Sequence, residues 1–452
     1  MSKTYRAYTP WQSQLFPASP RDWLPEGHLA YFVMDVVGQL DLSAITSHYE
    51  RELRGYPPHH PQMMVSLLLY AYCVGVASSR KIEARTHEDV AFRVIAAGQH
   101  PDHTTISEFR RIHLKALAEL FRQVLALCIK AGLVRLGHVA LDGTKLKANA
   151  SKHKAMSYQR MLERERDLAE KVEQLLRAAE EADAAEDKKY GKKKRGDELP
   201  KELAHAQTRL KKIREAKAAL EAEAKAAREE QDAQRKDDAP PPPDGPTPLP
   251  SHRVQSKQDG TPKPKAQRNF TDPDSRIQKT KDGFIQGFNA QAAVDEGHQI
   301  IVAQALTNQP PDVEHFAPMM EQVIENCGQR PGYVTADAGY CSDSNLASAS
   351  RLGLDVYIPA RREKHGQAPT SVRGRPPKSM TLKQRMKRKL ATKQGRERYA
   401  RRKAVAEPPF GQIKQARGFR QFLLRGLEKV SGEWSLICLT HNLLKLHRAV
   451  LA

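Results

Sequence analysis

A mixed α/β fold, preceded by an all-α N-terminal domain and split by an inserted helical hairpin, is predicted by three observations. Two short apolar runs each end in an aspartate close to a glycine, Val139-Ala140-Leu141-Asp142-Gly143 and Val334-Thr335-Ala336-Asp337-Ala338-Gly339. Such runs read as buried strands that carry a carboxylate to the rim of a sheet. Helical periodicity fills the chain ahead of the first run, and a long heptad tract rich in Ala, Glu, Lys and Arg separates the two.

A chain of 452 residues can hold two or three domains, since single domains mostly run roughly 100 to 200 residues. Its formal charge of +21 and pI near 9.7 favour a polyanionic partner, and a nucleic-acid backbone is the commonest one. The most apolar stretch, residues 63–77, is broken by Ser66 and Tyr70 and falls short of the roughly 18 residues of a membrane span. It reads as a buried helix, and no membrane association is expected. Residues 1–20 lack a basic start followed by an apolar core, so a cytoplasmic, nucleoid-associated protein is expected. Five scattered cysteines (Cys73, Cys128, Cys327, Cys341, Cys438) form no Cys-x-x-Cys pair, which argues against a disulfide framework and a structural zinc site.

Residues 1–136 are expected to form the helical N-terminal domain. Leu114, Leu117, Phe121, Val124 and Cys128 recur at three and four and should face a core. Ahead of them, Thr105 and Glu108 have capping-box spacing, and the short helix they begin carries Arg110 and Arg111. Those arginines could enter a DNA groove within a helix-turn-helix; a capped surface helix of any compact domain is the alternative. From about residue 157 to 235, Met161, Leu168 and Leu175 repeat at seven, as do Leu203 with Leu210, and Ala206, Ile213 and Leu220. The simplest account is an antiparallel helical hairpin over residues 152–238, with a basic tip at 190–196. A proline-rich linker spans residues 239–269 and is expected to be extended. Residues 283–294 and 299–306 read as two strands joined by Asp295-Glu296-Gly297-His298. Helices near 313–326 and 344–352 lead to the Asp337 strand and to a strand at 356–359, and residues 430–446 read as a closing helix with Trp434, Ile437, His441 and Leu444 on one face. The α/β domain therefore comprises residues 137–151 and 270–452. Within it, residues 361–403 hold seventeen Lys or Arg against two Glu, or +15 of the total +21. That concentration predicts salt-sensitive DNA binding. Arg373-Gly374-Arg375-Pro376 has the core pattern of an AT-hook, which lays arginines along a minor groove; a solvated basic loop is the alternative.

Phosphodiester cleavage with Mg²⁺, or with Mn²⁺ in its place, needs hard oxygen ligands. Two ions about 3.5 to 4 Å apart can activate the attacking oxygen and stabilise the leaving one. Asp142, Asp337 and a third acid, Glu407, would supply that clamp, with Lys414 reaching a phosphate and Tyr399 and Arg402 orienting the backbone or a carboxylate. Each aspartate taken alone would more often be a turn residue. Asp343 reads as a helix cap, Asp272, Asp274 and Asp295 as turn residues, and His441 and His447 as packing or surface groups. Because Glu407 precedes Pro408-Pro409, it should sit at a helix end or kink.

Three ordered stretches carry a resemblance: residues 141–151 (LDGTKLKANAS), Ala336-Asp337-Ala338-Gly339-Tyr340, and residues 407–414 (EPPFGQIK). Together they resemble the DDE transposases of bacterial insertion sequences, whose catalytic domain is RNase H-like. The likeness extends to residues 101–111, 195–200, 425–428 and 441–443, and so over nearly the whole chain. The resemblance implies that Asp142, Asp337 and Glu407 are catalytic and bind the metal. It also implies cleavage of double-stranded DNA at the element's inverted repeats, joining of 3′-hydroxyls to target DNA, and a homodimer on DNA. Tyr399, Arg402, Glu407 and Lys414 would correspond to the tyrosine, arginine, glutamate and lysine signature around the third acid. Four residues separate Arg402 from Glu407 where the common pattern has three, and Lys403 has the pattern's spacing. The rivals are an RNase H-like nuclease without strand transfer and a non-catalytic DNA-binding protein derived from a transposase.

Overall fold

The computed structural model describes residues 19, 22–51, 57–190, 201–236, 246–360, 377 and 379–451. It divides into two compact units, one of residues 1–123 with 446–452 and one of residues 124–445.

The first unit is helical: α1 (Leu29–Gln39), α2 (Ser43–Glu50), α3 (Pro61–Cys73), α4 (Ser79–Glu88), α5 (Val90–Ile95), α6 (His103–Ile112) and the first half of α7 (Leu114–Lys130). Helix α3 begins with a proline at its first turn and buries every residue from Met64 to Cys73, as an apolar run without a polar stripe must. The apolar row of α7 is buried from Leu114 to Cys128. Helix α6 starts on a different cap from the one the spacing suggested. The Asp102 carboxylate accepts from the backbone N–H of Thr104 and Thr105 at 2.8 and 2.9 Å, satisfying two orphan donors at the helix start. Thr105 is thereby a residue of the first turn. Among the described residues no single helix is long and apolar enough to cross a membrane.

The second unit is built on a six-stranded mixed sheet. Its strands are β1 (His138–Lys147), β4 (Arg276–Thr280), β5 (Gly283–Asp295), β6 (Ile301–Thr307), β7 (Tyr333–Ala336) and β8 (Val356–Tyr357), with β2 (Ala155–Ser157) and β3 (Gln267–Asn269) forming a separate pair. Strand β1 lies antiparallel to β5 on one side and parallel to β7 on the other, β8 follows β7 in parallel, and β4 and β6 line the far edge of β5. An antiparallel β6-β5-β1 meander continued by two parallel strands is the RNase H-like arrangement. The expected strand-turn-strand over residues 283–306 is the β5–β6 hairpin.

Strand β1 is longer than its apolar run. It continues through Asp142 to Lys147 because β5 offers nine consecutive partners, from Val139↔Asp295 to Lys147↔Gly287. Asp142 and Gly143 are therefore strand residues and form no turn. Gly143 pairs with Gln291, and Gly287 allows the backbones to close, since a Cβ there would strike the Leu146 carbonyl.

Between β2 and β3 run α8 (Tyr158–Tyr190) and α9 (Lys201–Lys236). Met161 packs on Ile213 and Ala216 with Leu168 beside them, while Glu165 pairs with Arg214 and Lys217 at 3.0 and 2.6 Å. The pairing runs antiparallel along a narrow apolar seam; of the basic tip at 190–196, all but Tyr190 lies outside the described residues. Defined contacts begin within the expected linker over residues 239–269. Thr247 donates its N–H to Glu321 at 2.6 Å, and Val254 is buried against Leu220 and Ala224.

The chain between β6 and β7 forms α10 (Phe316–Cys327), and α11 (Asp343–Arg351), capped by Ser342, links β7 to β8. Beyond β8 come α12 (Leu382–Ala391), α13 (Lys393–Ala400), α14 (Arg402–Gly411) and α15 (Leu427–Val450). Helix α14 runs through Pro408 and Pro409 and ends in a π-helical turn over Gln412–Ala416. Glu407 thus sits inside a helix, contrary to the rule for a residue before proline. The Ala404 carbonyl, which loses its donor to Pro408, accepts from Gln299 Nε2 at 3.1 Å.

One buried titratable group sets a pH dependence. His315 is fully buried with Nε2 2.6 Å from the Thr307 hydroxyl, and burial pushes its imidazole from 6.5 down to about 4. The folded state favours the neutral ring, so this contribution to stability is complete above the unfolded value and is lost as pH falls through it, by about 2 kcal/mol at pH 5. Urea unfolding of wild type should show a lower midpoint at pH 5 than at pH 7, with a smaller drop in His315→Gln. Equal drops would contradict this assignment.

Candidate active site

The register of the sheet brings the two aspartates together. The parallel pairing of β1 and β7 ends at Leu141↔Ala336, and Asp142 and Asp337 are the next residues on each strand. Leu141 and Ala336 are both fully buried, so the register places the carboxylates where the packed interior gives way to a cleft of about 1740 Å³. Asp142, Asp337, Glu407, Tyr399, Arg402 and Lys414 all line it. Lys147, Lys152, Lys281, Arg396, Lys403 and Arg420 add a basic wall.

Electrostatics separates these residues. Burial, reinforced by the Asp337 charge, pushes Asp142 up to about 6 despite the opposing pull of Arg402. Burial raises Asp337 as well, with Asp312 adding to it. Two half-buried acids side by side therefore resist ionising together. Arg402 partly relieves them: its Nη1 lies 3.0 Å from Asp142 Oδ2. Burial works against the guanidinium charge, but Asp142, Tyr399 and Asp337 keep its pKa above the ordinary value. Tyr399 is raised chiefly by burial and sits beside Arg402. Lys414 Nζ contacts the Thr144 hydroxyl and lies 3.3 Å from the Lys145 carbonyl, with its pKa lowered by burial and by Arg420.

Glu407 is exposed and lines the same cleft. Among the described residues no group of three or more His, Cys, Asp or Glu stands close enough to hold a metal ion. The aspartates still suit one face of a hard divalent cation: both are oxygen donors, both are half-buried, and the Asp337 charge raises the cost of ionising Asp142. Glu407 stands in the same cleft apart from that pair.

A third aspartate, which the sequence reading missed, stands beside Gly143 and Gly339, close to the pair. Asp312 Oδ1 accepts from Lys145 Nζ at 3.1 Å, Asn289 Nδ2 at 2.7 Å and Gln291 Nε2 at 2.9 Å. The buried Tyr340 hydroxyl donates to Gln291 Oε1, and Trp434 Nε1 donates to the Gln291 carbonyl at 3.2 Å. The available signal was Asn308-Gln309-Pro310-Pro311-Asp312, an acid at a strand exit like the other two.

The remaining expected DNA contacts divide. Arg110 is buried, its Nη1 donating to Tyr72 Oη at 3.1 Å and the Ala77 carbonyl at 2.7 Å. This corrects the expectation that α6 turns both arginines outward, because a guanidinium inside a helical unit must spend its donors on internal acceptors. Arg111 is exposed and pairs with Glu108. Arg373 and Arg375, with most of residues 361–378, lie outside the described residues. Of the two cations competing for the pattern's arginine position, Arg402 meets Asp142, while Lys403 is exposed on the cleft wall.

Two family models match the chain: a transposase DDE domain over residues 250–443 and a transposase domain over residues 18–111. No curated protein and no solved structure matches it. Transposase sequence in both halves of one chain, on an RNase H-like sheet, defines a DNA transposase. The two matches support a DDE transposase of an insertion sequence, a family that acts on DNA and uses divalent metal ions.

The closeness of β1 to β5 beside the acids gives a direct test. A Cβ at Gly143 would fall inside contact distance of Gln291 Nε2 and 3.0 Å from Asp312 Oδ1. Both side chains are pinned by hydrogen bonds, so Gly143→Ala should lower stability by about 1–3 kcal/mol, seen as a lower melting temperature. A melt identical to wild type would contradict the packing.

Proposed function

We propose that the chain binds the inverted-repeat ends of its own element, cleaves phosphodiester bonds there with two divalent metal ions, and joins the freed 3′-hydroxyls to target DNA. The observation that carries this reading is the β1–β7 register, which sets Asp142 beside Asp337 in a basic cleft shared with Glu407. Asp142 and Asp337 would hold the metal from the sheet side, with Glu407 supplied from α14. Mg²⁺, or Mn²⁺, supplies activation of the attacking oxygen and stabilisation of the leaving one when bound.

The other residues have separate tasks. Lys414, on the π-helical turn beside β1, would contact a phosphate of the scissile strand. Arg402, held against Asp142, balances the buried charge, and a phosphate entering the cleft would offer it a second partner. Tyr399 flanks Arg402 and restricts where the guanidinium can go. The wall of Lys147, Lys152, Lys281, Arg396, Lys403 and Arg420 would track the DNA backbone, giving affinity with steep salt dependence. Residues 361–403, including Arg373 and Arg375, would extend that contact, and Arg111 would offer one from the N-terminal unit. Work at two ends calls for a homodimer on DNA.

The test is cleavage and joining of labelled duplex carrying the element's ends, in Mg²⁺ and in EDTA. Wild type should cut and join only with metal, while Asp142→Asn, Asp337→Asn and Glu407→Gln bind the duplex but do neither, with losses of at least about 100-fold. Variants that cut as well as wild type would refute the site. Cleavage without joining would favour the nuclease, and binding without cleavage the non-catalytic protein.

A further inference from the structure

Asp312 occupies a position that neither the triad nor the signature around Glu407 explains. It follows Pro310-Pro311 at the exit of β6, and its single Oδ1 collects donors from two strands: Lys145 on β1, and Asn289 and Gln291 on β5. Its carboxylate also lies close to the glycines that neighbour both acids. A Cβ on Gly143, next to Asp142, would lie 3.0 Å from Asp312 Oδ1, and one on Gly339, two residues past Asp337, would lie 3.7 Å from Oδ2.

The partner that matters is Lys145. Its Nζ is held at 3.1 Å by Asp312 and at 2.6 Å by the Pro310 carbonyl, and its side chain is only 18% exposed. Asp337 and Asp142 are both close enough to act on its charge. Among the described carboxylates Lys145 contacts only Asp312, yet it lines the same cleft as Asp142 and Asp337, where Coulomb attraction between buried charges is weakly screened. If it turned to Asp142 or Asp337, it would compete with a divalent cation for the same oxygens. Asp312 and the Pro310 carbonyl hold it away.

We propose that Asp312 is a positioning residue of the metal site, tying down Lys145 so that the Asp142–Asp337 pair stays available to a divalent ion. This rests on the metal-site reading above. Asp312→Asn keeps an oxygen to accept from Asn289 and Gln291 but loses the charge that holds the ammonium.

The experiment is Mn²⁺ binding to the full-length protein, read from the electron paramagnetic resonance signal of free Mn²⁺, so that no turnover is needed. Asp312→Asn should bind about tenfold more weakly than wild type, the usual effect of removing a supporting group around a metal. Adding Lys145→Met to that variant should return affinity to within about threefold of wild type, because the competing charge is gone. An Asp312→Asn affinity equal to wild type would overturn the proposal. So would a double variant as weak as Asp312→Asn, since Asp312 would then act by a route other than Lys145. Should Asp312→Asn fail to fold, Lys145→Met alone decides: affinity at least equal to wild type supports the proposal and weaker binding overturns it. Asp142→Asn separates the two readings, for if it binds Mn²⁺ as wild type does, the metal site itself is misplaced whatever Asp312 does.

Discussion

The parallel pairing of β1 with β7 is the constraint on which the rest of the second unit depends. Its last pair, Leu141↔Ala336, is fully buried, so the next residue on each strand emerges at the same level of the sheet. Both are aspartates. Side chains alternate faces along a strand, and a slip of one residue on either strand would send its carboxylate to the other face. The antiparallel run of nine pairs between β1 and β5 fixes that register from the opposite side. The loss of conformational freedom at the acids is thus covered by strand pairing and apolar burial well away from them.

Placing two carboxylates together in a half-buried site is unfavourable by itself, and much of the surrounding structure answers that cost. Arg402 meets Asp142, Lys145 is drawn toward the group and held by Asp312, and Gln291 ties Asp312 to Tyr340 and, through its backbone, to Trp434. Most of these partners come from segments far apart in the chain. Helix α14 brings Arg402 and Glu407 to one cleft although two prolines interrupt its hydrogen-bond ladder, and the following π turn swings Lys414 onto Thr144. π-Helical turns often mark functional positions in a helix, and here the turn carries the signature lysine.

Much of this was legible in the sequence where local rules act alone. The apolar row of α7, the buried α3, the α8–α9 seam and the β5–β6 hairpin follow from periodicity, and the strand-end pattern picks out Asp142 and Asp337. Illegible features depend on partners distant in sequence. The apolar run gave no sign that β1 would continue to Lys147, because the continuation is imposed by β5 more than a hundred residues later. Arg110 and Arg111 look alike in sequence, and only the position of Tyr72 and the Ala77 carbonyl decides that one turns inward. Glu407 remained inside a helix because Gln299 supplies the donor that Pro408 removes. Asp312 resembled an ordinary turn acid, and its meaning comes from Lys145, Asn289 and Gln291 converging on one oxygen.

On this reading Asp142 and Asp337 together hold one of the divalent ions, and Arg402 balances their charge until metal and DNA enter. Crystals of the protein bound to duplex DNA and soaked in Mn²⁺, measured at the manganese absorption edge, test it most directly. An anomalous peak is expected between the two carboxylates, with the Arg402 guanidinium moved off Asp142 Oδ2. No peak at that position, with the Arg402–Asp142 pair intact in the presence of DNA and metal, would contradict it.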